Sequence, residues 1–299
     1  MYAGLGNLQE WWLLLLFTGT AALFSLTMTA TVRRITKGRR GESHNDVMGL
    51  FFGACSIMYA VLLGFVILDA YNQYVDADRN TTREAVTLVT LYADTQRYPD
   101  PPRSEMHQAV RQYTRSVVED EFPSMRRGEH SSVTGSKLHQ LYLLNSMLKS
   151  GDPNVMELTE RFNAKVDDIT LLREERLRAS RPTLPWMYWF VLILGGVVTI
   201  IMAASLSMEY ASHQLAGSFL LGIMIGAVLF MILELDRPFN GPTAIGPNAF
   251  QRSMHAYALI DEANRQPAAD AGPVQRCRSA ARRSAGTPAR RHEFSSGSC

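Results

Sequence analysis

The sequence predicts an all-α fold: a polytopic membrane protein with four transmembrane helices in two hairpins and a soluble helical bundle inserted between them. Three observations predict it. Four windows of the 299-residue chain are apolar and long enough to cross a bilayer. A hydrocarbon core about 30 Å thick takes roughly 20 residues of helix. The stretch 72–182, between the second and third windows, is polar with near-balanced charge and places apolar residues at helical spacing. The overall apolar fraction of 46% therefore averages over unlike segments, and a simple globular enzyme is excluded.

The first window, Trp11 to Val32, has Trp11 and Trp12 at one rim, where aromatic rings suit the headgroup boundary. Its N-terminal flank has no Lys or Arg and its apolar run is long, so it reads as a retained helix, not a cleaved signal. The second runs from Val47 to Leu68, between Asp46 and Asp69. The third runs from Pro185 to Met208 and opens on Trp186, Tyr188 and Trp189. The fourth runs from Gln214 to Leu233 and is closed by Glu234, Asp236 and Arg237. The organisation is thus an N-terminal segment (1–10), a first hairpin (11–70), a helical insert (71–183), a second hairpin (184–236) and a tail (237–299). Beyond about residue 263 the tail is rich in Ala, Arg, Ser, Gly and Pro and is expected to be largely disordered. Its arginines suit an anionic lipid surface, or the segment is a non-functional extension.

Within the insert, nothing breaks the second helix before Pro99, so it is expected to continue past Asp69. Residues 103–122 place Met106, Val110, Tyr113 and Val117 on one helical face. Residues 137–149 do the same with Leu138, Leu141, Leu144 and Leu148, and residues 154–180 with Leu158, Phe162, Ile169 and Leu172. The run Glu119-Asp120-Glu121 reads as a solvated face, with a divalent cation site as the lesser reading.

Two charge counts oppose each other over the side of the membrane that holds the insert. Arg33, Arg34, Lys37, Arg39 and Arg40 between the first two spans put that loop inside and the insert outside. Arg173, Arg176, Arg178 and Arg181, next to the third span, argue the reverse.

Small residues mark the helix-packing faces: Gly49, Gly53, Ser56, Ala60 and Gly64 in the second span, and Ser218, Gly222 and Gly226 in the fourth. They let helices approach closely in lipid, within one subunit or between subunits around a pore. Ionisable groups at membrane depth face protein or water. Asp69, Glu234, Asp236 and Arg237 either cap helix ends at the interface, Arg237 pairing with Asp236, or line an ion pathway. The boundary motif His44-Asn45-Asp46 caps the second helix or senses pH.

No nucleotide, zinc-protease or serine-hydrolase motif is present. The seven histidines show no ligand spacing, and the three cysteines are far apart. No enzyme, cofactor or metal site is indicated. A net charge of +2 excludes a nucleic-acid partner held by bulk basicity.

Several stretches together resemble one family. They are His44-Asn45-Asp46-Val47, Tyr59 to Phe65, Arg83-Glu84-Ala85 with Leu91-Tyr92, Tyr113 with Val117 to Pro123, Leu184-Pro185-Trp186, and Leu235-Asp236-Arg237-Pro238-Phe239-Asn240-Gly241. Over roughly residues 44–250 the chain is similar to the bacterial "bestrophin-like" membrane family. The resemblance implies an integral protein of the bacterial inner (cell) membrane. By analogy with bestrophins it also implies a homo-oligomer, a pentamer, conducting an inorganic anion with the second span at the pore. The alternative is a membrane-anchored sensor or scaffold whose helical insert binds a partner. In both readings the lipid bilayer is a partner.

Overall fold

A computed structural model describes residues 3–36, 42–98, 100–146, 153–206, 208, 210–241 and 243–265. Among them every regular element is helical: α1 (Ala3–Ile35), α2 (Glu42–Thr95), α3 (Pro102–Ser116), a π-helical turn (Val117–Glu121), α4 (Phe122–Met125), α5 (Ser132–Ser146), α6 (Pro153–Ala179), α7 (Trp186–Ser205), α8 (Ala211–Leu235) and α9 (Asn248–Arg265). By packing, the described residues up to His255 form one unit. The described part of the second unit, residues 256–265, is helical.

Stretches of α1, α2, α7 and α8 are long and apolar enough to cross a membrane. The fold is that of a helical integral membrane protein. α1 packs chiefly on α8 and then on α7, and α2 packs on α7 and α8. The α1–α8 seam is built from small and hydroxyl residues. A side chain at Gly222 would meet the backbone of Ala22, and one at Gly226 the backbone of Phe17 and Thr18. Ser25 donates to the Ser218 carbonyl (2.7 Å) and Thr29 to the Ser218 hydroxyl (2.8 Å). In lipid such contacts replace the hydrophobic effect as the association force. At the far end Gln214 donates to the free carbonyls of Ala204 and Leu206 closing α7, and accepts from Arg33 at 2.8 Å. One buried amide thereby ties α1, α7 and α8 together.

α2 has 54 residues and is roughly 80 Å long at 1.5 Å per residue. Its first part lies at membrane depth and its second part forms the spine of the insert, packed on α6. The α3 residues Met106, Val110 and Tyr113 are buried, with Val117 after them. So are Leu138 and Leu141 of α5, and Phe162, Ile169 and Leu172 of α6; Leu144 and Leu158 are half-buried.

Several expectations need correction or fall outside the structure. His44, Asn45 and Asp46 do not precede the second helix: α2 begins at Glu42, so they occupy its first turns. Helix α9 follows Pro247, where the sequence reading placed no element. The disorder expected of the tail concerns residues that, beyond 265, lie outside the described ones, as does Leu148. The acidic run is treated next.

Candidate functional site

Glu119 and Asp120 are solvent-exposed as expected, but Glu121 is fully buried. The local cause is Pro123, which has no N–H to donate to the Glu119 carbonyl. The turn before it widens, and the Phe122 N–H donates instead to the Val117 carbonyl, five residues back. Glu121 then continues the buried face of Met106, Val110, Tyr113 and Val117.

There it meets a compact cluster of charges. Arg176 of α6, with no exposed surface, donates from Nε to Glu84 Oε2 (2.8 Å), and from Nη2 to Glu84 Oε1 (3.2 Å) and Glu121 Oε2 (2.8 Å). Arg173 donates from Nε to both Glu121 oxygens, at 3.1 and 3.2 Å. The Tyr113 hydroxyl donates to Glu84 Oε1 at 2.8 Å. Two cations face two anions, so the cluster is neutral, and each carboxylate has several donors, which buried charge requires. Phe122 and Phe250 flank the Arg176 guanidinium, each ring centroid 5.5 Å from Cζ. Burial opposes the charge of Arg173 and Arg176, but their carboxylate partners prevail and hold both pKa values above the usual arginine range. Burial first, and the Glu84 charge second, push the Tyr113 hydroxyl well above the usual tyrosine range, so it stays a donor. Two of the four arginines counted beside the third span are thus bound inside the insert.

The conspicuous stretch 235–241 sits between this cluster and the membrane helices. Asp236 does not form the expected ion pair with Arg237. Its Oδ1 accepts the N–H groups of Thr183 (2.8 Å) and Leu184 (2.9 Å), which fixes the approach of the chain to α7. Burial raises its pKa, with the two N–H donors and Arg237 opposing. Arg237 is exposed. Phe239 is buried edge-on to Phe122, centroids 6.1 Å apart. Gly241 has φ +92°, and the Glu234 carboxylate lies against its Cα, so a side chain there is excluded twice over.

Asp69 is exposed on α2 and accepts from Gln73 at 2.9 Å. The structure does not join it to Glu234, Asp236 or Arg237. At 100° per residue Asp69 also falls roughly 180° from the centre of the Gly49–Gly53–Ser56–Ala60–Gly64 stripe. A side chain at Gly49, Gly53 or Gly64 would meet nothing in the chain. The side of α2 that is covered lies between these two flanks: Tyr59 packs with Ile200 and Ile225, and Val66 with Leu192 and Ile232. Tyr59 lies against Gly195 and Gly196 and donates to the Leu192 carbonyl at 3.0 Å. Among the described residues no group of three His, Cys, Asp or Glu is placed to hold a metal ion.

A long helix that runs from the membrane into the insert, a helical insert locked by buried charge and a second membrane pair define a class of polytopic membrane protein. The Bestrophin-like domain matches residues 19–250, and the chain belongs to that family. The fold is similar to crystal structures of a bacterial bestrophin homolog from Klebsiella pneumoniae. A tryptophan-to-alanine mutant matches at TM-score 0.66 and 14% identity, over 81% of this chain and 96% of that one. A structure from Zn-SAD phasing matches at 0.63 and 13%, over 81% and 97%. A leucine-to-threonine mutant matches at 0.62 and 14%, over 82% and 98%. No curated protein matches the sequence.

Proposed function

We propose that the chain is one subunit of a homo-oligomeric ion channel in the bacterial cell membrane, with α2 lining the pathway. The observation that carries this is the nakedness of α2 at membrane depth. Only 11% of its most apolar window is buried, against 28% for α7 and α8. One flank packs on α7 and α8, and the small-residue flank is open, the form a helix takes when a second copy completes its packing. The face between them, away from α7 and α8, carries Val61, Phe65 and Asp69 at four-residue spacing, all exposed. In a ring this face points to the axis, with Phe65 an apolar constriction and Asp69 a ring of charge at its mouth. Glu234 lies near the same end of the spans. Asp236 and Arg237 take other roles in this reading, the first structural. Membership of the bestrophin-like family supports the channel reading.

The test is chloride and potassium flux from liposomes holding the purified protein, with empty liposomes as control. Flux is expected, and Asp69→Asn should change the chloride-to-potassium ratio without changing insertion. Absence of flux for both ions, with insertion verified, would overturn the reading.

A further inference from the structure

The membrane helices α1, α7 and α8 form an open groove, and none of its lining residues belongs to α2. It consists of two adjoining apolar cavities of about 430 and 250 Å³. Phe17, Ile193 and Leu229 line both, so the two are continuous. One end is marked by Trp186, Arg237 and Asp236, whose Oδ1 is taken by the Thr183 and Leu184 N–H groups, and the other by Ile200 and Ile225.

The ends differ in chemistry. Trp186 is 74% exposed and stands at the start of α7, where an indole marks the headgroup level. Arg237 is exposed and, among the described residues, has no ion-pair partner, because the neighbouring Asp236 is turned to the N–H groups of Thr183 and Leu184. The other end is apolar apart from the Thr20 hydroxyl, which is bonded to the Leu16 carbonyl of its own helix. From Trp186 to Ile200 α7 rises roughly 21 Å. One leaflet of hydrocarbon is about 15 Å deep. The groove is therefore an apolar slot at least one leaflet long beneath an uncommitted guanidinium.

We propose that this groove binds one anionic phospholipid, an acyl chain lying along α7 and the phosphate at Arg237. The polarity of the slot matches that molecule end for end, and guanidinium is the side chain best shaped for phosphate oxygens. The site uses no residue of the α2 pathway, so it stands or falls independently of channel activity.

The full-length protein, delipidated in detergent, is titrated with phosphatidylglycerol or phosphatidylcholine, and bound lipid is counted by native mass spectrometry. One phosphatidylglycerol per subunit is expected, held more tightly than phosphatidylcholine. Arg237→Gln should weaken phosphatidylglycerol about tenfold, the scale of a lost charge-assisted hydrogen bond. Ile193→Trp, which fills the slot and leaves Arg237 in place, should weaken both lipids. Ile193 is 53% exposed, so this second variant carries the test should the first fail to fold. Equal retention of the two lipids, unchanged binding in a folded Arg237→Gln protein, or saturation of the site by chain-free glycerol phosphate would each overturn the proposal. So would an unliganded groove covered by a second copy.

Discussion

Arg176 and Glu84, 92 positions apart, are joined by two hydrogen bonds of 2.8 and 3.2 Å, with no exposed surface on either side chain. Glu84 stands on the stretch of α2 that comes up from the membrane, and Arg176 on the stretch of α6 that leads back to it. The pair therefore holds the two legs of the insert in one register. Glu121 and Arg173 complete the charge balance, so neither partner can be changed alone without leaving a buried charge.

Removal of Arg176 should be severe. Arg176→Met leaves Glu84 and Glu121 without their shared donor and is expected to cost about 3–5 kcal/mol. Arg79→Ala, which loses an ion pair with Asp76 whose side chains are about two-thirds exposed, should change stability by less than about 1 kcal/mol. Denaturant unfolding of the two detergent-solubilised variants checks the contrast; equal effects would contradict it.

The cluster also predicts an alkaline response. The Tyr113 pKa is raised in the folded chain, chiefly by burial, so its contribution to stability is full below the usual tyrosine range and is lost as pH rises beyond it. Tyr113→Phe removes that contribution. Its melting temperature should fall less steeply above about pH 10 than that of the unmodified chain, measured by thermal scans from neutral to alkaline pH.

Asp236 separates charge from hydrogen bonding. Its raised pKa means that it favours the fold at pH values below the usual carboxylate range and loses that contribution as pH rises through the folded value. Asp236→Asn keeps an oxygen for the Thr183 and Leu184 N–H groups and should match or exceed the unmodified protein in melting temperature at neutral pH. Asp236→Ala leaves both donors unmet, at about 1–3 kcal/mol each. If Asn were as harmful as Ala, the charge would be what matters.

The two small-residue stripes should respond differently. Gly222→Leu drives a side chain into the Ala22 backbone and should destabilise the monomer by more than about 2 kcal/mol. Gly53→Leu meets nothing in its own chain. It should leave the monomer's melting temperature intact and weaken oligomers, read by mass photometry in detergent.

Much of the cluster was within reach of the sequence. The face Met106–Val110–Tyr113–Val117 steps by four to Glu121. On α6, Phe162 and Ile169 step to Arg173 and Arg176. A charge in phase with a buried stripe is the informative signal, and it outweighs the general tendency of charged residues to be exposed. Pro123 was the second signal, since a missing N–H must alter the turn before it.

The chain by itself determined the four apolar lengths, the unbroken run of α2 to Thr95 and the amphipathic helices of the insert, because length, proline position and periodicity are local properties. It could not say what each face would meet. Gly222 and Gly49 belong to similar stripes, yet one is pressed on Ala22 and the other is bare. Asp236 has Arg237 as its neighbour in sequence, yet takes the Thr183 and Leu184 N–H groups instead. These choices depend on which distant helices come together, and only the tertiary structure decided them, because a buried donor or close contact is satisfied by whatever the packing brings within about 3 Å.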